Sequence, residues 1–144
     1  MNFSISIPSV NKIVSKLNQI SAEKRQAAYE VLADGVLAIH GDAIKSIQSQ
    51  SSNGGKQVRY NPKRTVTVSK PGQPPNSDTG ILVKSIAFDV DKTNLKGKVG
   101  TNLMYGVWLE FGNERMPARP WLRPAYFRHV KEIQVNMAKA LKTK

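Results

Sequence analysis

The chain contains no cysteine, which excludes disulfide staples, thiolate metal sites and thiol nucleophiles and leaves no mark of an oxidising compartment. Histidine is almost as scarce. His40 and His129 stand in separate helical segments, without the neighbouring carboxylate or imidazole spacing of a metal site. No segment approaches the ~20 apolar residues of a bilayer span, and the start, MNFSISIPSVNK, lacks the basic region and continuous apolar run of a signal peptide. The expectation is a soluble protein made in a cytoplasm, with no membrane partner. Acidic residues are few as well, 10 against 22 Lys and Arg, for a net charge of +12.

That positive excess is uneven. Residues 1–50 hold five basic against four acidic residues, 51–98 nine against three, and 99–144 eight against three. A field concentrated in the middle and end favours anionic partners, whether nucleic acid, a membrane surface or an acidic protein face. With 144 residues, 40% of them apolar and grouped in periodic segments, residues 1–144 suit one globular domain.

From Ser9 to about Gln48 the apolar positions Ile13, Leu17, Ile20, Ala28, Val31, Ile39, Ala43 and Ile47 follow helical spacings. This predicts one long helix, or two in line with a second start at Ser21 and a possible bend at Gly35 or Gly41. The Ser, Asn and Gly of SQSSNGGKQ then end it. RTVTVS, 64–69, alternates like a strand but runs into the turn-forming KPGQPPNSDTG. Residues 49–77 as a whole read as a long, flexible, basic loop carrying Lys56, Arg59, Lys63, Arg64 and Lys70, the first candidate for a partner-docking segment. A short helix is predicted at 79–85, capped by Asp78 or Thr79. IAFDVD and KGKVGT, joined by the polar KTN, predict an antiparallel hairpin over 86–91 and 95–101. Ala125 to Leu141 places Tyr126, Val130, Ile133 and Met137 on one stripe of a basic terminal helix.

Motifs that carry chemistry fail in detail. NGGKQ has Gln50 where a phosphate loop needs its first glycine and Gln57 where it needs Ser or Thr. KGKVGTN follows no strand-to-helix turn of the dinucleotide kind. Asp89 and Asp91 share one solvated strand face, with nothing to desolvate either as an acid. The expectation is no enzyme, no cofactor and no metal. Nucleic-acid binding is the rival reading, with phosphate contacts from the basic segments and Tyr60, Trp108 or Trp121 as stacking surfaces.

One stretch differs from the rest. YGVWLEFGNERMPARPWLRPAY, 105–126, holds five aromatic residues, three prolines and three arginines. Gly112 ends its apolar part, and Pro117, Pro120 and Pro124 force an extended connector into the last helix, with Pro124 in that helix's first turn. Glu110 lies among aromatic residues, where an unpaired carboxylate is costly, so Arg119 or Arg123 is expected to clamp it.

The order and spacing of three segments carry a resemblance. They are Pro74, Pro75, Asp78, Thr79, Gly80, Leu82, Ser85 and Ile86; then Tyr105, Glu110, Phe111 and Gly112; then Met116 to Ala125, with Pro117, Pro120, Trp121 and Pro124. Over about residues 71–142 the chain resembles the tail-component, tail-completion and head–tail joining proteins of long-tailed double-stranded DNA bacteriophages. It departs from them in lacking an arginine near Ile81 and in its especially basic loop. The resemblance implies an α+β fold, a small antiparallel twisted sheet packed by a long N-terminal and a C-terminal helix. It also implies a structural protein of the virion neck or tail, made in the bacterial cytoplasm. Its implied partners are its own copies in a hexameric ring, neighbouring neck and tail-tube proteins, and packaged DNA close by.

Overall fold

The computed structural model describes residues 3–6, 21–49 and 52–142. In chain order these form β1 (Phe3–Ser6), α1 (Ala22–Gln48), β2 (Lys56–Arg59), β3 (Arg64–Thr67), α2 (Ile81–Ser85), β4 (Ile86–Asp91), β5 (Lys96–Thr101), α3 (Met104–Phe111) and α4 (Arg123–Lys142). The fold is α+β, with a long helix in the N-terminal part, two small antiparallel sheets and a helix at the end.

Helix α1 begins just after Ser21 and buries Ala28, Leu32, Gly35, Val36, Ile39, Ala43 and Ile47. Their spacings of three and four residues keep one face inward for its whole length. The expected start at Ser21 is found, although its side chain makes no capping bond; the remainder of the expected helix, residues 9–20, lies outside the described residues. Neither glycine interrupts α1. Gly35 instead permits close approach to α4, since a β-carbon there would lie 2.5 Å from Ile133 Cγ1.

The main sheet has the order β1-β5-β4. Along β5, Gly97, Val99 and Thr101 are buried while Lys96 and Lys98 are exposed, so one face carries the core and the other meets solvent. Helix α1 lies on the buried face so closely that a β-carbon on Gly97 would come within 2.2 Å of Val36 Cγ2. The β4–β5 hairpin appears where the alternation placed it. Its turn is held by the Asp91 carboxylate, which accepts the backbone N–H of Thr93 at 2.8 Å and of Asn94 at 3.0 Å. Those bonds hold the Asp91 carboxyl below the usual carboxylate range, with the Asn94 side chain as the largest cause. Strand β1, which sequence reasoning missed, pairs with the other side of β5 in the register Ser4↔Gly100. The core runs through Leu32, Val36, Leu95, Val99, Trp121 and Met137 between α1, the sheet and α4.

Two expectations are corrected. The long basic loop over 49–77 is not found: β2 and β3 pair antiparallel from Lys56↔Thr67 to Arg59↔Arg64, forming a second sheet inside that range. The β-branched Val58, Thr65, Val66 and Thr67 favour pleated backbone, and the pair is fastened from outside. Arg64 grips Asp78 through Nε to Oδ1 and a terminal nitrogen to Oδ2, both at 2.9 Å, and Asn76 Nδ2 donates to the Thr67 carbonyl at 2.8 Å. The second correction is the start of α2. It opens at Ile81 after Gly80, which sits at φ 75°, and no side chain caps it. Asp78 has been drawn off to Arg64, whose hydrogen bond holds its carboxyl below the usual range.

Candidate functional site

Residues 105–126 fold into α3, a stop, a connector and the first turn of α4. Helix α3 turns Gly106, Leu109 and Glu110 inward. At Gly106 a β-carbon would meet Thr101 Cγ2 at 2.6 Å and Leu82 Cδ1 at 3.1 Å, so glycine lets the helix lie against the end of the sheet. The outward face is unusual. Met104, Tyr105, Trp108 and Phe111 are 43, 50, 46 and 53% exposed, and Ile81 from α2 is 60% exposed. Their spacing of one, four and seven residues makes one continuous stripe on the outer face of α3. Gly112, at φ 76°, ends the helix, where a β-carbon would come within 2.8 Å of the Ala118 amide nitrogen.

Glu110 is fully buried. Its Oε2 accepts the backbone N–H of Trp121 at 2.8 Å and of Leu122 at 2.9 Å, and its Oε1 accepts the backbone N–H of Arg123 at 2.9 Å. These are free amide groups at the opening of α4, so a side chain from α3 serves as that helix's N-terminal cap. Arg123 Nε completes the arrangement with a 3.2 Å ion pair to Oε1, and its guanidinium lies 5.0 Å over the Phe111 ring. Arg119 goes elsewhere: its Nε donates to the Ser69 carbonyl at 3.1 Å, binding the connector to the strand β3 side. Trp121 is buried, with Nε1 donating to the Gly106 carbonyl at 3.0 Å. Pro117 and Pro120 lie in the connector, and Pro124 is the second residue of α4.

The basic residues of the middle segment fall on the second sheet and its flanks. Lys56, Arg59, Lys63 and Lys70 are exposed and Arg64 is half-buried, while Tyr60 at the hairpin tip is 76% exposed. Between this hairpin, the Pro75–Asp78 segment and α3 runs a groove of about 460 Å³, lined in part by Arg59, Arg64, Asp78, Tyr105 and Arg119. Pro75 is buried beside it, Thr79 is exposed, and Gly80 makes the turn into α2. Partial burial pushes the Tyr105 phenol above its ordinary pKa, with Asp78 adding to the rise and Arg59 and Arg119 opposing it. The groove and the α3 stripe meet at Tyr105.

Both histidines have partners. His40 Nε2 is 3.2 Å from the Ile86 carbonyl with its ring against Phe88, and His129 Nε2 is 3.2 Å from Asp42. Among the described residues no group of three or more His, Cys, Asp or Glu is placed to hold a metal ion. What this region offers chemically is adhesion: an aromatic stripe, a cationic groove and a rigid buried hinge beneath them. Sequence reasoning missed the stripe, although Gly106 among bulky neighbours was a signal for which side of α3 must pack.

A family model described as "Bacteriophage HK97-gp10, putative tail-component" matches residues 11–112. The chain belongs to this phage tail-component family. The match ends at Gly112, so it takes in the groove's hairpin and the α3 stripe but not the connector or α4. Searches of the curated proteins and of the solved structures find no significant match. As a tail component the protein is a structural part of a virion, in contact with other virion proteins. No helix among the described residues is long and apolar enough to cross a membrane.

Proposed function

We propose that this tail component works at the head–tail junction or the top of the tail tube, completing the tail and joining it to the head. It acts there as a homo-oligomeric, hexameric ring bound to the adjoining neck and tail-tube proteins, close to the packaged DNA. The chain serves as one domain with no catalytic role, made in the bacterial cytoplasm before it enters the particle. The observation that carries this reading is the stripe of Met104, Tyr105, Trp108 and Phe111, large side chains left about half exposed on a single helix face. An exposed apolar face of this kind marks a surface that another protein covers. In a ring each copy meets the next through unlike patches, and the α3 face supplies one of the two. Glu110 and its caps set the angle between α3 and α4, and so fix how the stripe is presented.

The test is incorporation. A Trp108→Ser, Met104→Ser double variant, whose changed side chains lie on the outer surface, is expected to fold normally yet to be missing from purified particles. Normal incorporation of that variant sinks the reading.

A second reading rests on the hairpin tip, where the exposed Tyr60 stands among Arg59, Lys63 and Arg64. An aromatic flanked by cations suits nucleic acid, through stacking and phosphate contact. Binding of DNA that weakens steeply with salt and depends on these residues would favour it.

A further inference from the structure

The groove beside Tyr105 carries more information than a basic surface does. Three guanidinium groups, those of Arg59, Arg64 and Arg119, line it against one carboxylate, that of Asp78. The one carboxylate is already committed to Arg64 in a two-pronged ion pair. Arg119 is fixed in place through its Nε on the Ser69 carbonyl, without a carboxylate partner among the described residues. Arg59 makes no ion pair among the described residues. The groove therefore holds two positive groups in excess, one of them anchored in advance by the fold.

Its walls are not merely polar. Pro75, Leu109 and Met116 line it together with Tyr105, so a ligand finds apolar surface beside the charge. A duplex backbone is charged throughout and offers little apolar surface along its phosphates. Here the cations share a concavity with apolar walls, which a uniformly charged backbone leaves uncovered. A chain segment that alternates carboxylate and apolar side chains satisfies both walls at once, because successive side chains of an extended peptide point to opposite sides.

We infer that this groove is the docking site for an extended, acidic peptide segment of another protein. The segment's carboxylates pair with Arg59 and Arg119, and its apolar side chains lie on Tyr105 and Met116. Only the identification of that protein as a virion neighbour rests on the assembly reading; the peptide chemistry stands on the groove itself. The positive excess of the whole chain, +12, steers such a segment toward the surface, and the anchored arginine fixes where it stops.

The full-length protein is titrated with a fluorescein-labelled peptide of alternating glutamate and leucine, followed by anisotropy, with a short DNA duplex as the second probe. Arg59→Gln removes a side chain with no ion pair among the described residues and is expected to weaken peptide binding about tenfold, the loss of one charge-assisted bond. Lys98→Gln, an equal loss of charge on the solvent face of β5, is expected to change it less than about twofold, as a screened surface charge does. Thermal melting confirms that both variants fold. Equal losses from the two variants mean a diffuse field and overturn the inference. So does tighter, Arg59-dependent binding of the duplex, or no peptide binding by the wild type at low salt. Particle incorporation of Arg59→Gln separates the two claims. If the wild type binds no peptide and Arg59→Gln enters particles normally, the groove is refuted and the α3 assembly face stands.

Discussion

Glu110 and Trp121 are joined by a 2.8 Å hydrogen bond from the tryptophan's backbone N–H to the buried carboxylate. The same carboxylate takes the next two amides, so the opening of α4 is satisfied by a residue of α3. Removing it strands two buried donors, a part-buried one and an arginine. Glu110→Ala is therefore expected to cost about 3–5 kcal/mol, the range for breaking a buried charged network. Chemical denaturation reads this directly, and a loss under about 1 kcal/mol contradicts the capping role.

Gly112 tests the stop between the two helices. Its φ of 76° is left-handed, and an added β-carbon would lie 2.8 Å from one backbone atom and 3.0 Å from another. Backbone cannot yield as a side chain can. Gly112→Ala is expected to lower stability by about 1–3 kcal/mol, and a thermal melt unchanged from wild type refutes the tight contact.

How far the sequence foretold this region follows from the range of each interaction. The β4–β5 hairpin was legible because its alternation and its Asp91 turn are local. The stripe of α4 was legible for the same reason. Strand β1 was not, since four residues become a strand only by lying along β5, far on in the chain. The second sheet was half legible: β3 alternates β-branched residues, but β2, Lys-Gln-Val-Arg, is too polar to announce itself and is held by its partner. The anchors of that hairpin, Asp78 and Asn76, lie outside both strands and read as loop or cap residues on their own. At the candidate site, the glycine stop was visible in the sequence. The amides that Glu110 accepts were not, because backbone groups have no letter.

Asp42 on α1 receives Arg128 Nε at 2.7 Å and His129 Nε2 at 3.2 Å, both from α4. Partial burial alone would raise its carboxyl, but the Arg128 bond and charge and the His129 contact outweigh it, leaving the pKa below the ordinary value. A depressed carboxylate contributes stability that is complete above its unfolded pKa of about 4. That contribution disappears as pH falls through the lower folded value. Asp42→Asn is expected to flatten the acid side of the stability–pH curve below about pH 4, leaving the shape at neutral pH alone. Identical acid limbs for the two proteins contradict the link.

The Arg64–Asp78 pair is partly solvent-exposed, so its role is to fasten the hairpin rather than to stabilise the fold at large. Arg64→Ala is expected to speed hydrogen exchange at the amides of β2 and β3 while the amides of α1 keep their protection. Unchanged hairpin exchange removes the fastening.

Ser69 tests the floor of the groove. It is 3% exposed, and its hydroxyl has no hydrogen-bond partner among the described residues. Leaving such a group unpaired costs about 1–3 kcal/mol. Ser69→Ala is expected to raise the melting temperature; a fall in it shows the hydroxyl to be paired.

The role proposed for this tail component is to close the joint between head and tail. It is tested most directly by electron microscopy of particles made with and without the protein. Joined particles with a ring of density at the neck or tail top are expected when it is present, and separate heads and tails when it is absent. Normally joined particles without the protein contradict it.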